Sequence, residues 1–169
     1  MSEPVRTGFA EPEVPLRAKR LAPITVMAGS LAVLLPVVST IPWMPPFGLM
    51  ILLGWRLLRP DVLKIWSPVL LGLFDDLVGG QPIGSAMMLW TMCFIAIDVL
   101  DSRLVWRDFW QDWLLATGSI GFCLIAGRLI ASPVGAHVDT LLLLQIALSA
   151  ALFPVVARMC AALDLRAQP

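Results

Sequence analysis

The chain has 169 residues, of which 59% are apolar and 14% charged, against ~45–50% and ~25% in an ordinary soluble domain. So few charges cannot solvate a water-facing surface of this size, which excludes a soluble globular protein and requires lipid over much of the exterior. Its 12 basic and 12 acidic residues cancel, which argues against a nucleic-acid partner, since binding one calls for a basic patch.

Residues 1–20 are polar, interrupted by Pro4, Pro12 and Pro15, and end in Arg17, Lys19 and Arg20. They read as a cytoplasmic N-terminal tail. The apolar run at 21–41 has the ~20 residues needed to cross a bilayer and no small-residue cleavage pattern at its end, so it reads as a span and not as a secretory signal. Pro36 is expected to kink it, and Pro42, Pro45 and Pro46 turn the chain. The second run, 46–58, reaches only ~20 Å as a helix, which fits a tilted or bilayer-thinning span or a re-entrant hairpin.

The third run, 62–78, carries Asp75 and Asp76 and ends in Gly79-Gly80-Gln81-Pro82-Ile83-Gly84, a strong turn signal. The fourth spans 85–100. In the charged, aromatic stretch 101–112, Trp106, Trp110 and the adjoining Trp113 recur at helical spacing. That stripe predicts an interfacial amphipathic helix, either a simple anchor or a docking surface. The fifth and sixth runs are 113–131 and 138–160, followed by a polar tail, 161–169. The expected fold is an all-α polytopic membrane bundle of about six transmembrane helices, occupying residues 21–160.

Charge sets the orientation. With the N-terminus inside and all six runs crossing, Arg6, Arg17, Lys19, Arg20, Arg56, Arg59, Lys64, Arg103, Arg107, Arg158 and Arg166 fall on the inner side, and the outer turns carry no Lys or Arg. This satisfies the positive-inside rule and places both termini in the cytoplasm. Trp55, Trp66, Trp106, Trp110 and Trp113 lie near the inner boundary and Trp43 near the outer one, where an indole is at home.

Arg128 is the remaining cation. Counted from the inner ends of their spans, Arg128, Asp75 and Asp76 reach about the same depth, ~20 Å in. Buried charge invites a partner, so Arg128 is expected to meet Asp75 or Asp76. That meeting has two readings, a functional contact or gate and a simple lock between helices. The alternative is that Arg128 snorkels to the outer surface.

Asp98 and Asp101 are expected to face the inner interface near Arg103 and Arg107. Cys93, Cys123 and Cys160 lie in apolar runs without metal spacing and read as small hydrophobes. His137 and Asp139 are too few for a zinc site. No hydrolase, metalloprotease or nucleotide-binding motif occurs, so neither catalysis nor a cofactor is expected.

The stretch 68–90, PVLLGLFDDLVGGQPIGSAMMLW, resembles the signature region of MreD, the rod shape-determining membrane protein family. There a Leu/Gly-rich span runs into an Asp, a Gly turn and a P-x-G. The matching positions are Gly72, Asp75 or Asp76, Gly79, Gly80, Pro82 and Gly84, with Arg59-Pro60 resembling the preceding loop. The resemblance implies a non-enzymatic inner-membrane component of the cell-elongation machinery. It would work with MreC, and indirectly with MreB and the peptidoglycan synthases. It also implies a fold akin to the substrate-binding components of energy-coupling-factor transporters. The rival reading is a transporter subunit that binds a small solute at its outer mouth, with the acidic pair and the glycine turn as lining.

Overall fold

The computed structural model describes residues 16–34, 44–103, 108–131 and 140–167. These form six α-helices and no strand: α1 Leu16–Leu31, continued by a 3-10 turn at Ala32–Leu34, α2 Phe47–Leu58, α3 Ser67–Gly79, α4 Ser85–Asp101, α5 Phe109–Ala131 and α6 Thr140–Ala167. Pro36, Trp43, Trp106, Arg107, His137 and Asp139 lie outside the described residues.

The boundaries depart from the hydropathy reading where polar groups find partners. α1 begins at Leu16, so Arg17, Lys19 and Arg20 form its first turns instead of ending a tail. α6 runs on to Ala167, past the expected end near 160, because Asp164 is buried against Arg59 (Nε to Oδ2, 3.0 Å). α3 starts only at Ser67. Residues before it form a turn in which the Ser67 N–H donates to the Lys64 carbonyl at 2.8 Å, and Pro68, at the head of the helix, sits where its missing donor costs nothing.

The short helix α2 is the centre of the bundle. It packs against α1, α4, α5 and α6, and every residue from Gly48 to Leu57 is buried. Its twelve residues (PFGLMILLGWRLL without the leading proline) present apolar groups on all sides, the pattern of a helix enclosed by others. Its ~18 Å length matters less once protein and not lipid surrounds it. Trp55, expected at the inner interface, is instead fully buried, and its indole N–H donates to Thr25 Oγ1 of α1 at 2.9 Å.

Contacts between helices show that they alternate in direction. Gly29 of α1 meets Ile51 and Gly48 of α2 while Thr25 meets Trp55, so this pair is antiparallel. Gly48 meets Trp90 and Arg56 meets Asp98, so α2 and α4 run parallel. Gln145 reaches the Met44 carbonyl and Cys160 packs on Gly54, so α6 runs with them. Cys93 faces Cys123 and Leu89 faces Gly127, so α5 runs against α4.

One end of the bundle therefore gathers the starts of α1 and α3 with the ends of α2, α4 and α6. That end carries Arg17, Lys19, Arg20, Arg56, Arg59, Lys64, Arg103 and Arg166. The other end carries the Gly79–Gly84 turn and Arg128.

The outer surface is apolar. The five helices around α2 turn large hydrophobic side chains outward, among them Ile24, Leu77, Met92, Leu129, Leu143 and Val155. A water-soluble protein does not expose such faces on all sides. The stretches Phe109–Ile130 and Thr140–Ala167 are long and apolar enough to cross a membrane.

Candidate functional site

The segment that carries the Gly/Pro signature folds as a tight helical hairpin of α3 and α4. Gly80 ends α3 in the left-handed conformation (φ 63°) and Gly84 opens α4 in another (φ 97°). Both positions favour glycine because a Cβ is strained there. Between them the Pro82 carbonyl accepts the Ser85 N–H at 3.0 Å.

Glycine at the head of α4 has no side chain to cap the helix, so its first N–H groups need an acceptor from elsewhere. Asp76 supplies it. Its Oδ1 accepts Ser85 Oγ–H at 2.9 Å and the Ala86 N–H at 2.8 Å, and its Oδ2 accepts the Gly84 N–H at 2.9 Å and the Met87 N–H at 3.3 Å. The residue is only 1% exposed. A carboxylate at a helix N-terminus also meets the positive end of the helix dipole. Among the described residues no cationic side chain pairs with this buried carboxyl group.

Gly72, one turn before Asp76, brings the two helices into contact. A Cβ placed there would lie 2.7 Å from Met87 Cα, 2.8 Å from its N and 2.9 Å from Ala86 C. The α3 backbone rests directly on the first turn of α4, which keeps Asp76 within reach of its four donors.

Asp75 points elsewhere. It is half-buried and turns toward the α1–α2 crossing, where Ser30 Oγ, Asp75 Oδ1 and the Trp90 ring converge on Gly48. Adjacent helix positions diverge by about 100°, which gives the two aspartates different partners.

The expected meeting of Arg128 with one of these carboxylates is not found. Both oxygens of Asp76 are engaged by residues 84–87 and Asp75 faces Ser30 and Gly48, while Arg128 is an exposed residue in the last turn of α5. Equal depth does not fix the angle at which a side chain leaves its helix.

The ion pairs among the described residues lie at the basic end instead. Arg56 is 2% exposed, and its Nη2 lies 2.7 Å from Asp98 Oδ1 and 3.5 Å from Asp101 Oδ2, with the guanidinium 4.9 Å from the Phe94 ring centre. Asp98 and Asp101, expected at the inner interface near Arg103 and Arg107, both reach Arg56 of the core helix α2, and the Asp98 side chain stays 58% exposed. Together with Arg59–Asp164 they fasten the ends of α2, α4 and α6. A sequence signal existed: Asp98 and Asp101 are three apart, on one face of a helix, at the depth of Arg56.

Of the expected tryptophan stripe, Trp110 and Trp113 are among the described residues. Both lie in the first turns of α5, edge to face at 5.9 Å. Trp113 donates its indole N–H to the Ala150 carbonyl of α6 at 2.9 Å, and Trp110 is exposed. Cys93 and Cys123 face each other across α4 and α5 with sulfurs 3.4 Å apart.

A small helical membrane protein results, built on an enclosed central helix and a carboxylate-closed hairpin. The family model described as rod shape-determining protein MreD matches residues 21–163, and the chain belongs to that family of inner-membrane, cell-shape proteins of the rod complex. Comparison with curated proteins and with solved structures found no match.

Proposed function

We propose that the chain is a non-enzymatic inner-membrane scaffold of the rod complex, contributing to cell shape and peptidoglycan synthesis through MreC and, indirectly, MreB and the peptidoglycan synthases. The observation that carries this reading is the use made of the signature carboxylate. Asp76 is consumed in closing the hairpin, with both oxygens bonded to the head of α4. A group held this way orders a surface and neither transfers protons nor meets a solute.

Alternating helix directions and the basic end support six crossings with both termini cytoplasmic. The same layout supports kinship in fold with the substrate-binding components of energy-coupling-factor transporters, which carries no function with it. The Gly79–Gly84 turn then faces the periplasm, and α4 presents Met88, Met92, Ile95 and Val99 outward at helical spacing. That stripe is our choice for the seat of the membrane part of MreC.

A lipid face tolerates a larger apolar side chain, whereas a packed helix pair does not. Met92→Trp is therefore expected to reduce co-purification of MreC at least about tenfold, as ~1.4 kcal/mol of overpacking suffices for that, with the chain's membrane level unchanged and cells losing rod shape. Normal recovery of MreC with normal cell shape would remove this face from the complex.

A further inference from the structure

A second feature lies at the basic end, away from the hairpin turn. A groove of about 530 Å³ opens between α1, the turn before α3, and α3 itself, within the ~300–1,000 Å³ range of small-ligand sites. Its walls are apolar: Pro23 and Met27 from α1, Leu70, Leu71 and Phe74 from α3. From Ser67 to Phe74 it runs ~10 Å along the helix axis.

Its mouth is charged. Lys19 and Lys64 both line it, with Asp61 the single acidic group among the described residues. Neither lysine is in an ion pair with a described residue; the ion pairs at this end engage Arg56 and Arg59 instead. Trp66, also in the lining and largely exposed, lies under the Lys64 ammonium at 6.0 Å. Ser67 adds the positive end of α3 to the same rim.

An apolar slot with surplus positive charge and an indole at its rim has the polarity of one molecule class, an anionic phospholipid. We infer that this groove binds an anionic phospholipid, its phosphodiester between Lys19 and Lys64 and an acyl chain along Met27, Leu70 and Phe74. The lipid fills a gap between α1 and α3 that the described residues leave open, and makes assembly of these helices depend on the charge of the inner leaflet. The inference rests on α1 and α3 lying in the membrane, which is part of the proposed six-span reading.

Native mass spectrometry of the purified full chain with phosphatidylglycerol and phosphatidylcholine of matched acyl chains tests it. One phosphatidylglycerol per chain is expected, retained about fivefold better than phosphatidylcholine, the effect of one surplus positive charge. Lys19→Ala with Lys64→Ala is expected to abolish the preference, and Lys19→Arg with Lys64→Arg to keep it. Leu70→Trp, which fills the slot and leaves the charges alone, is expected to abolish retention of both lipids.

Equal retention of the two lipids, a double alanine variant that behaves as the parent, or an arginine variant that fails to restore the preference would overturn the site. So would full retention by Leu70→Trp, which reduces the effect to surface charge, or a photocrosslink from position 70 to a polypeptide instead of a lipid. Carbonate washing separates the two claims: release of the chain from membranes overturns the spanning reading, whereas lost selectivity in a retained chain overturns only the groove.

Discussion

Asp76→Ala is expected to lower the unfolding temperature of the purified protein by about 10 °C or more, the shift that ~3–5 kcal/mol produces in a chain of this size. Each hydrogen bond to a buried charge contributes ~1.5–3 kcal/mol, and three amides and one hydroxyl share this carboxylate, so the sum is far from additive. The larger part of the loss comes from what remains: the N–H groups of Gly84, Ala86 and Met87 are left without their acceptor. Asp76→Asn recovers little, because its amide turns a donor toward those donors. Asp75→Ala is the control. That residue is half-buried and bonds to none of the α4 amides, so its loss is expected to shift unfolding much less. Thermal unfolding followed by tryptophan fluorescence in detergent ranks the three variants, and Asp75→Ala falling below Asp76→Ala would contradict the closure described here.

The second large effect is expected at Gly72. Gly72→Ala places a methyl within 2.9 Å of three backbone atoms of residues 86 and 87. Backbone in the first turn of a helix cannot step aside, so α3 and α4 must separate, which also stretches the Asp76 contacts one turn away. A loss of ~2–3 kcal/mol, or about 5–10 °C in Tm, is expected. Gly79→Ala provides the contrast within the same motif, because its Cβ would meet only Gln81 Cγ, at 3.7 Å. At a helical position with space, alanine is neutral or slightly stabilising. The two variants compared by the same unfolding scan separate a glycine required for close approach from one that is not. Equal Tm values for the two would show that α3 and α4 do not rest on each other at residue 72.

Hydropathy and turn chemistry made much of this architecture legible. Each of the six apolar runs contributes one helix, and the Gly79–Gly84 turn falls where Gly80 and Gly84 adopt the left-handed conformations that glycine allows. What escaped was angular and long-range. The cap of α4 comes from eight to eleven residues upstream, across a turn, whereas capping rules look for the acceptor at the N-cap itself. The adjacent pair Asp75–Asp76 looked equivalent in sequence, yet only one side chain leaves α3 toward the head of α4. Arg56 and Trp55 read as inner-boundary residues by depth. They are buried because α2 is surrounded, a fact of helix arrangement that no window of α2 contains. Asp164 looked like part of a polar tail because its partner, Arg59, lies a hundred residues away.

Sidedness is the claim on which the rest depends, and two exposed positions report it directly. Ile83, 77% exposed, sits at the hairpin turn, and Ser102, also exposed, follows α4 at the basic end. Ile83→Cys and Ser102→Cys are placed singly in a chain whose Cys93, Cys123 and Cys160 have been replaced. Each is then treated with a membrane-impermeant maleimide in spheroplasts and in inverted vesicles. Position 83 is expected to react only in spheroplasts and position 102 only in inverted vesicles. Reaction of both from one side, or the reverse pattern, would contradict the alternation of the helices across the membrane and the periplasmic placement of the hairpin.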